Sequence, residues 1–137
     1  MTLRKYHNHD LFEVVPKDIL KKYGVMNVRD SDLNHSWTLL DNGVIVGCAG
    51  FRMFWPGVFE CWLAAKSYEA FYRHRYMIIR LVKRKLKSLK AHRIQATIDS
   101  NQPLNIRFIK FLGFKHEATL HKYGIDGADF ELFALVK

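Results

Sequence analysis

The sequence of 137 residues contains little cysteine, little proline and few acidic side chains. Its two cysteines, Cys48 and Cys61, lie in apolar predicted strands without metal-ligand spacing. This argues against a disulfide scaffold or a zinc site and predicts buried thiols in a reducing cytoplasm. No run approaches the roughly 18 apolar residues of a membrane-spanning helix, and the N-terminus lacks the apolar core of a signal peptide. We therefore expect a cytoplasmic protein with no membrane partner.

One pair of histidines, near the N-terminus, is a candidate metal site. His7 and His9 precede Asp10, but a His-x-His pair on a polar turn without further ligands favours a helix-capping turn over a metal site. Asp10 is then expected to cap a helix that begins at Leu11. We expect no bound metal.

Acidic residues are absent where basic ones are most frequent. The chain has 22 Lys and Arg against 13 Asp and Glu, a formal net charge of +9. No acid occurs between Glu69 and Asp99, an interval that holds Arg73, Arg75, Arg80, Lys83, Arg84, Lys85, Lys87, Lys90 and Arg93. A surface with this excess of positive charge can bind a polyphosphate cofactor, a nucleic acid, an acidic protein surface or only counterions.

Size and pattern predict one α/β domain over residues 1–137. The expected order is a strand, two short helices, three strands, a helix, a strand, a helix and two strands. Asn42-Gly43 predicts a tight hairpin, and Gly47 and Gly50 indicate a bulge or a close backbone approach. The polar segment 25–36 is a candidate for binding an acceptor substrate.

The predicted fold depends mainly on the segment from Phe59 to Phe114. A strand at 59–63 leads to a long basic helix after Ser67, then to a strand at 93–98. Two strands joined by such a helix are most simply parallel neighbours with a right-handed crossover. Ligands in such units bind beyond the carboxyl ends of the strands, which places the expected site at 63–76 and 99–102.

These features resemble the GCN5-related N-acetyltransferase (GNAT) superfamily over essentially the whole chain. The resemblance rests on the hairpin 40–47, the crossover helix, and Asp99-Ser100-Asn101 followed twelve residues after Asn101 by Gly113-Phe114. The ending 120–130 is most similar to small acetyltransferase-like proteins of tailed bacteriophages. A weaker likeness is to an internal-core protein of short-tailed coliphages that has no established catalytic role. The resemblance implies a GNAT-like mixed sheet with an antiparallel N-terminal meander, a central parallel βαβ crossover and a C-terminal antiparallel hairpin.

The resemblance also implies acetyl-CoA as cosubstrate. Family members lay its pantetheine between the two splayed parallel strands and its pyrophosphate on amides at the start of the crossover helix. The matching stretch, 72–77, lacks the glycines of the usual motif, but its arginines can pair with phosphate. The cofactor-binding residues implied are Leu63, Arg73, His74, Arg75, Tyr76, Asp99, Asn101 and Phe108.

Catalytic groups follow from the same resemblance. Glu60 matches the glutamate that relays the amine proton through water, although pairing with a residue such as Arg52 is an equal alternative. The usual tyrosine acid falls at Ile109, so Tyr123 or Tyr76 is the candidate substitute, and His74 is a candidate proton carrier. The function implied is an acetyl-CoA-dependent N-acetyltransferase in which an amine of a protein or small molecule attacks the thioester directly in a ternary complex.

Two other functions remain open. The first is a non-catalytic phage protein of the same fold, acting in virion assembly, ejection or host-factor binding, whose basic helix docks an acidic partner. The second is a nucleic-acid-binding module that uses the cationic face with exposed aromatics such as Tyr68 and Tyr72, which is not favoured because no reading motif is present. A homodimer also remains open.

Overall fold

The computed structural model describes residues 2–15 and 35–137. The elements in these ranges are β1 (Thr2–Lys5), α1 (Asp10–Val14), β2 (His35–Asp41), β3 (Val44–Trp55), β4 (Val58–Ala65), α2 (Tyr68–Arg73), α3 (Arg75–Ser88), β5 (Arg93–Asp99), α4 (Pro103–Phe111), β6 (Lys115–Leu120) and β7 (Phe130–Val136). The strands form one mixed sheet in the order β1-β2-β3-β4-β5-β7-β6, with β4 and β5 parallel. The predicted fold class is confirmed.

Two sequence predictions fall on other parts of the chain. The second of the two short helices, which the sequence predicts over 17–23 between Pro16 and Gly24, lies outside the described residues. So does the predicted acceptor segment up to residue 34. Backbone contacts divide the chain into a first unit, Met1–Met53 with Cys61–Ile78, and a second unit, Phe54–Glu60 with Ile79–Lys137. The single domain over 1–137 stays a prediction.

The first unit contains an antiparallel meander. β1 pairs with β2, and β2 pairs with β3 through a turn in which Asn42 and Gly43 have φ values of 49° and 79°. These positive φ values are what a tight hairpin requires, so the Asn-Gly prediction is confirmed. The register shifts opposite Leu39 and Leu40, next to Gly47, and a Cβ on Gly50 would overlap the side chain of Ser36. Both the predicted bulge and the predicted close approach are therefore present.

A small core of the first unit surrounds a buried carboxylate. Tyr6, Leu11, Val14 and Cys48 form the apolar part, and burial raises the pKa of the Cys48 thiol to about 12, so this thiol is inert at neutral pH. Asp10, fully buried, lies beside them and accepts hydrogen bonds at 2.8 Å from both terminal nitrogens of the Arg4 guanidinium.

Asp10 is not the cap that its sequence position predicts. It is the first residue of α1, and the preceding residue, His9, makes no side-chain capping bond. The Asp10 carboxylate is occupied by other partners instead. The Thr38 hydroxyl, distant in sequence, donates to it at 2.7 Å, and the backbone N–H of the nearby His7 donates at 2.9 Å. Within residues 2–15 and 35–137, no three His, Cys, Asp or Glu side chains are grouped to hold a metal ion.

The second unit joins the parallel pair to a C-terminal antiparallel ladder. Val58 to Glu60 of β4 pair with Arg93 to Gln95 of β5, β5 pairs with β7, and β7 with β6. Ile94 and Phe133 are almost fully buried in its core. α4 ends as predicted, with Gly113 at a φ of 96° and its N–H bonded to the carbonyl of Lys110.

The last turn of α3 is held by a lysine that is distant in sequence. Lys137 Nζ donates to the carbonyls of Leu86 and Leu89 at 2.6 and 2.8 Å. A cation there satisfies helix-terminal carbonyls and complements the negative end of the helix dipole. The contact fixes where the basic helix ends.

Two boundary predictions were wrong. The breaker Trp55-Pro56-Gly57 in the sequence predicts a turn over residues 52–57. Instead β3 continues to Trp55, and the turn is confined to Pro56 and Gly57, where Gly57 has a φ of 88°. The long crossover helix is two helices, α2 and α3, interrupted at His74. Among the described residues, no helix is both long and apolar enough to cross a membrane.

Candidate functional site

The start of α2 is fixed by backbone and capping bonds at the end of β4. Lys66 donates its N–H to the carbonyl of Val46 at 2.9 Å, which ties the end of β4 to β3. Ser67, in extended conformation, accepts the N–H of Ala70 at 3.1 Å, and Glu69 lies in the first turn. Ser67 therefore caps α2, as a serine before a helix favours, and the cap sets the direction in which α2 leaves the sheet.

The interruption at His74 is held by a long-range contact. His74 Nε2 lies 2.9 Å from Oδ2 of Asp41, and the two side chains are 17% and 24% exposed. This hydrogen bond lowers the pKa of the Asp41 carboxyl below its usual value. The His74 carbonyl accepts the N–H of Ile78 at 3.0 Å, the bond with which the backbone ladder of α3 begins. His74 therefore fixes the junction of α2 and α3 relative to the β2–β3 hairpin.

Arg75 begins α3 and is ordered by α2. Its guanidinium donates to the carbonyl of Tyr72 at 2.8 Å and lies 3.9 Å from the ring centroid of Tyr72 and 4.4 Å from that of Tyr76. A cation at a helix start is unfavourable to the helix dipole unless a negative group compensates it. Here the interruption supplies the carbonyl end of α2 as that negative partner.

The junction still has the chemistry of an anion site. A guanidinium carries five donors, and the Tyr72 carbonyl and the Tyr76 hydroxyl, at 2.8 and 3.4 Å, engage two of those of Arg75. Arg73 ends α2 with a 3.8 Å contact to Glu69, both side chains well exposed. The amides that precede the first ladder bond of α3 form a helix N-terminus, where phosphate is stabilised.

The structure brings four of the predicted cofactor residues together, Arg73 to Tyr76, at this junction. Tyr76 is the most exposed of them, at 71%. Leu63, on β4 in the same unit, is borderline exposed. Cys61 on the same strand is only partly buried, which differs from the core thiol expected from the sequence.

Other predicted residues lie in the second unit. Asp99 ends β5, and its carboxylate accepts the N–H of Asn101 at 2.9 Å while its carbonyl accepts the N–H of Gln102. This is the predicted turn, although the N-cap residue of α4, Gln102, makes no side-chain capping bond. Phe108 on α4 is partly buried. Ile109, the position of the usual family tyrosine, is 4% exposed and belongs to the core.

The proposed catalytic residues of the second unit are separated along the sheet. Glu60 is paired with Gln95, four residues or about 13 Å along β5 from Asp99. Tyr123 is exposed, and its ring lies 5.3 Å from that of Phe130, the Cα partner of Asp99 on β7. Tyr123 thus lies at the carboxyl end of β5. Glu60 lies beside Gln95, nearer the middle of β5.

Sequence reasoning missed two features. Asp41 was interpreted only as part of a turn, and nothing local links it to His74, 33 residues away. Glu131 was missed as well: its carboxylate accepts from Thr119 at 2.7 Å and from Ser100 at 3.3 Å, and lies 2.8 Å from His116 Nε2. The bond with His116 is the main cause of a lowered pKa of Glu131. Alternating polar residues on β6 and β7 were the only available signal.

Known structures with similar folds cover nearly the whole chain. A ribosomal-protein-alanine N-acetyltransferase from Brucella melitensis has a TM-score of 0.73 at 16% identity, with 100% of both chains covered. A variant of the spermidine N-acetyltransferase SpeG from Vibrio cholerae has a TM-score of 0.71 at 15% identity, covering 98% of this chain and 92% of its own. YncA from Salmonella typhimurium with its cofactor acetyl-CoA has a TM-score of 0.69 at 18% identity, covering 99% and 93%.

These likenesses show the fold. Comparison with curated proteins finds no match. The model of the acetyltransferase (GNAT) family matches residues 3–114, which includes the meander, both helices of the crossover, β5 and α4. The chain therefore belongs to the acetyltransferase (GNAT) family.

Proposed function

We propose that this chain transfers an acetyl group from acetyl-CoA to an amine of a protein or small molecule by direct attack in a ternary complex. GNAT enzymes are N-acetyltransferases that use acetyl-CoA as cosubstrate. The observation that carries the proposal is the family match over residues 3–114. The ordered cationic junction of α2 and α3 supports it, because acetyl-CoA presents several phosphates.

The residues of the junction fit a phosphate group. Arg75 is preorganised by the Tyr72 carbonyl and two rings, so little side-chain entropy would be lost on binding an anion. The amides at the start of α3 and the exposed Arg73 add donors of the same polarity. Bound acetyl-CoA would supply the activated acetyl thioester. The remaining predicted contacts, at Leu63, Tyr76, Asp99, Asn101 and Phe108, belong to the same proposal.

Three side chains are proposed to handle protons. Glu60, on β4, would accept the proton of the attacking amine, directly or through water. Tyr123 would protonate the departing thiolate, since a phenol is a suitable acid. His74 remains the proposed proton carrier, although the contact it makes, with Asp41, is a positioning one. Holding amine and thioester together supplies much of the rate enhancement.

The acceptors to test are proposed from the proteins of similar fold. Structures of similar fold include enzymes described as spermidine and ribosomal-protein-alanine N-acetyltransferases, so polyamines and protein N-termini are the first acceptors to test. Three further points stay predictions: the resemblance to phage-encoded members, a cytoplasmic location, and a host or phage protein as acceptor.

Calorimetric titration of the purified protein with acetyl-CoA, and separately with desulfo-CoA, tests the proposal. We expect micromolar binding of both ligands, followed in a thiol-release assay by turnover with a polyamine or a peptide bearing a free α-amine. A Glu60→Gln variant should bind acetyl-CoA normally and lose about 100-fold or more in turnover. Absence of binding at millimolar ligand would refute the proposed activity.

A second candidate is a non-catalytic member of the same fold. It is favoured by one observation: Ile109, where the usual acid would lie, is a core residue at 4% exposure. Such a protein would use the basic helix α3 to bind an acidic partner. Acetyl-CoA turnover with any amine would exclude this candidate, whereas cofactor binding without turnover across acceptor classes would favour it.

The contact between His74 and Asp41 gives a prediction for the junction. Asp41→Asn removes the charge that accepts from His74, so we expect acetyl-CoA to bind about fivefold to tenfold more weakly while the fold persists. Calorimetry with acetyl-CoA measures this change. The matched control is Asp126→Asn, an exposed acid in the loop between β6 and β7. Equal affinities of the two variants would show that the junction does not depend on this contact.

A further inference from the structure

Four planar side chains form a continuous row on α2 and the start of α3. The rings of Tyr68 and Tyr72 have centroids 5.5 Å apart with a 34° angle between their planes. The Arg75 guanidinium continues the row, 3.9 Å from the Tyr72 centroid and 4.4 Å from that of Tyr76. We call Tyr68, Tyr72, Arg75 and Tyr76 the aromatic row.

The tyrosines of this row are not core residues. Tyr68 is 52% exposed, Tyr72 48% and Tyr76 71%. Three large aromatic side chains within nine residues therefore present ring surface to water. Arg75 covers part of the Tyr72 and Tyr76 rings, and the ring surface that no neighbour covers can stack on other planar groups.

A cationic stripe continues from the row along α3. Tyr76, Arg80, Lys83 and Lys87 are four, three and four residues apart, so they lie on one face of the helix, and all four are exposed. The buried side of the helix carries Ile78 and Leu86, both 3% exposed. The 14 residues of α3 include no acid. We call Arg80, Lys83 and Lys87 the cationic stripe.

We propose that the aromatic row and the cationic stripe bind single-stranded nucleic acid, with bases stacked on the row and backbone phosphates along the stripe. From Tyr76 to Lys87 the helix rises about 16 Å, enough for several phosphates. A stacking platform followed by positive charge is the arrangement that recognises single strands without sequence preference. A duplex keeps its bases stacked within itself, and an acidic polypeptide has no comparable planar groups to cover the row.

Fluorescence anisotropy with a labelled oligothymidylate and an oligouridylate of about 20 nucleotides tests this binding. We expect both to bind more tightly than a duplex of equal length. The slope of log affinity against log salt should be about −2, since three phosphate contacts on a single strand contribute about 0.7 each. We expect equal affinities for oligothymidylate and oligouridylate, because the proposed contacts involve neither base edges nor the sugar hydroxyl.

Two sets of substitutions distinguish the contribution of the aromatic row from that of the cationic stripe. Tyr68→Ala with Tyr72→Ala should weaken binding about tenfold or more at an unchanged salt slope, while Tyr68→Phe with Tyr72→Phe retains it. Arg80→Glu with Lys83→Glu and Lys87→Glu should abolish most of the salt dependence. The control with equal charge change is Arg107→Glu with Lys110→Glu and Lys115→Glu, exposed cations of α4 and β6, which should bind like the wild type.

Several results would overturn the proposal. These are tighter binding of the duplex, tight binding of polyglutamate, or undiminished binding by the Tyr-to-Ala pair. An equal loss in the control triple would also overturn it, because the affinity would then follow net charge alone. Thermal melting of each variant shows whether a loss of binding is a loss of folding, and the Phe variants keep the stacking test valid if the alanine pair is unfolded.

Discussion

Asp10→Asn is expected to lower the free energy of unfolding by about 3 kcal/mol. The carboxylate is fully buried and receives four hydrogen bonds: two from Arg4, one from the hydroxyl of Thr38 and one from the N–H of His7. An asparagine removes the charge and turns an NH₂ group toward at least one of these donors. The cost is that of leaving buried hydrogen-bond donors without an acceptor and the part-buried Arg4 without its charged partner.

The same carboxylate predicts how stability changes with acid. Burial raises its pKa, but the hydrogen bonds from Arg4, Thr38 and His7 outweigh burial and lower the pKa from 3.8 to about 2. A lowered pKa gives a contribution of about 2 kcal/mol that is complete above about pH 4 and is lost as the pH falls toward about 2. The wild type should lose this increment in that window, and the Asn variant should not.

Urea unfolding at neutral pH and at steps from about pH 5 to about pH 2 measures both effects. Glu13→Gln is the matched control, since Glu13 is an exposed acid of α1 whose replacement should change stability by less than about 0.5 kcal/mol. If the two variants unfold at the same urea concentration, the Asp10 carboxylate and its hydrogen bonds do not contribute the stability proposed here.

Local rules predicted the parts of the fold that depend on neighbouring residues. Asn42-Gly43 specified its turn because few other pairs tolerate two positive φ values, and Gly113 ended α4 for the same reason. Asp10 shows where such rules fail. Its position before an apolar run predicts a cap, but the carboxylate is bound by Arg4, six residues away, and by Thr38, whose contact across 28 residues lies outside any local sequence window.

The helix interruption at His74 could not be predicted for a similar reason. Apolar residues recur at helical spacing across it, so the pattern favours one helix. The interruption is stabilised by Asp41, which lies on a hairpin 33 residues earlier. Because Arg75 obtains its carbonyl partner only when α2 ends at Arg73, the electrostatics of the junction depended on this missed feature.

Arg73→Glu combined with Arg75→Glu is expected to weaken acetyl-CoA binding by at least about 100-fold. In the proposed site these arginines supply charge-assisted hydrogen bonds to phosphate, each of which contributes about 1.5–3 kcal/mol. The reversal replaces that attraction with repulsion at the N-terminus of α3. Arg75→Glu also places a carboxylate near the Tyr72 carbonyl, so the loss of order at the junction adds to the effect.

Calorimetric titration with acetyl-CoA and with desulfo-CoA measures the loss, and thermal melting measures the stability of the variant. Lys110→Glu with Lys115→Glu makes the same change in net charge at exposed positions of α4 and β6 and should keep wild-type affinity. The neutral pair Arg73→Gln with Arg75→Gln should give an intermediate affinity, since it removes the attraction without adding repulsion. Wild-type affinity in a folded double-glutamate variant would show that the phosphates bind away from this junction, and the cofactor site would then have to be assigned to other residues.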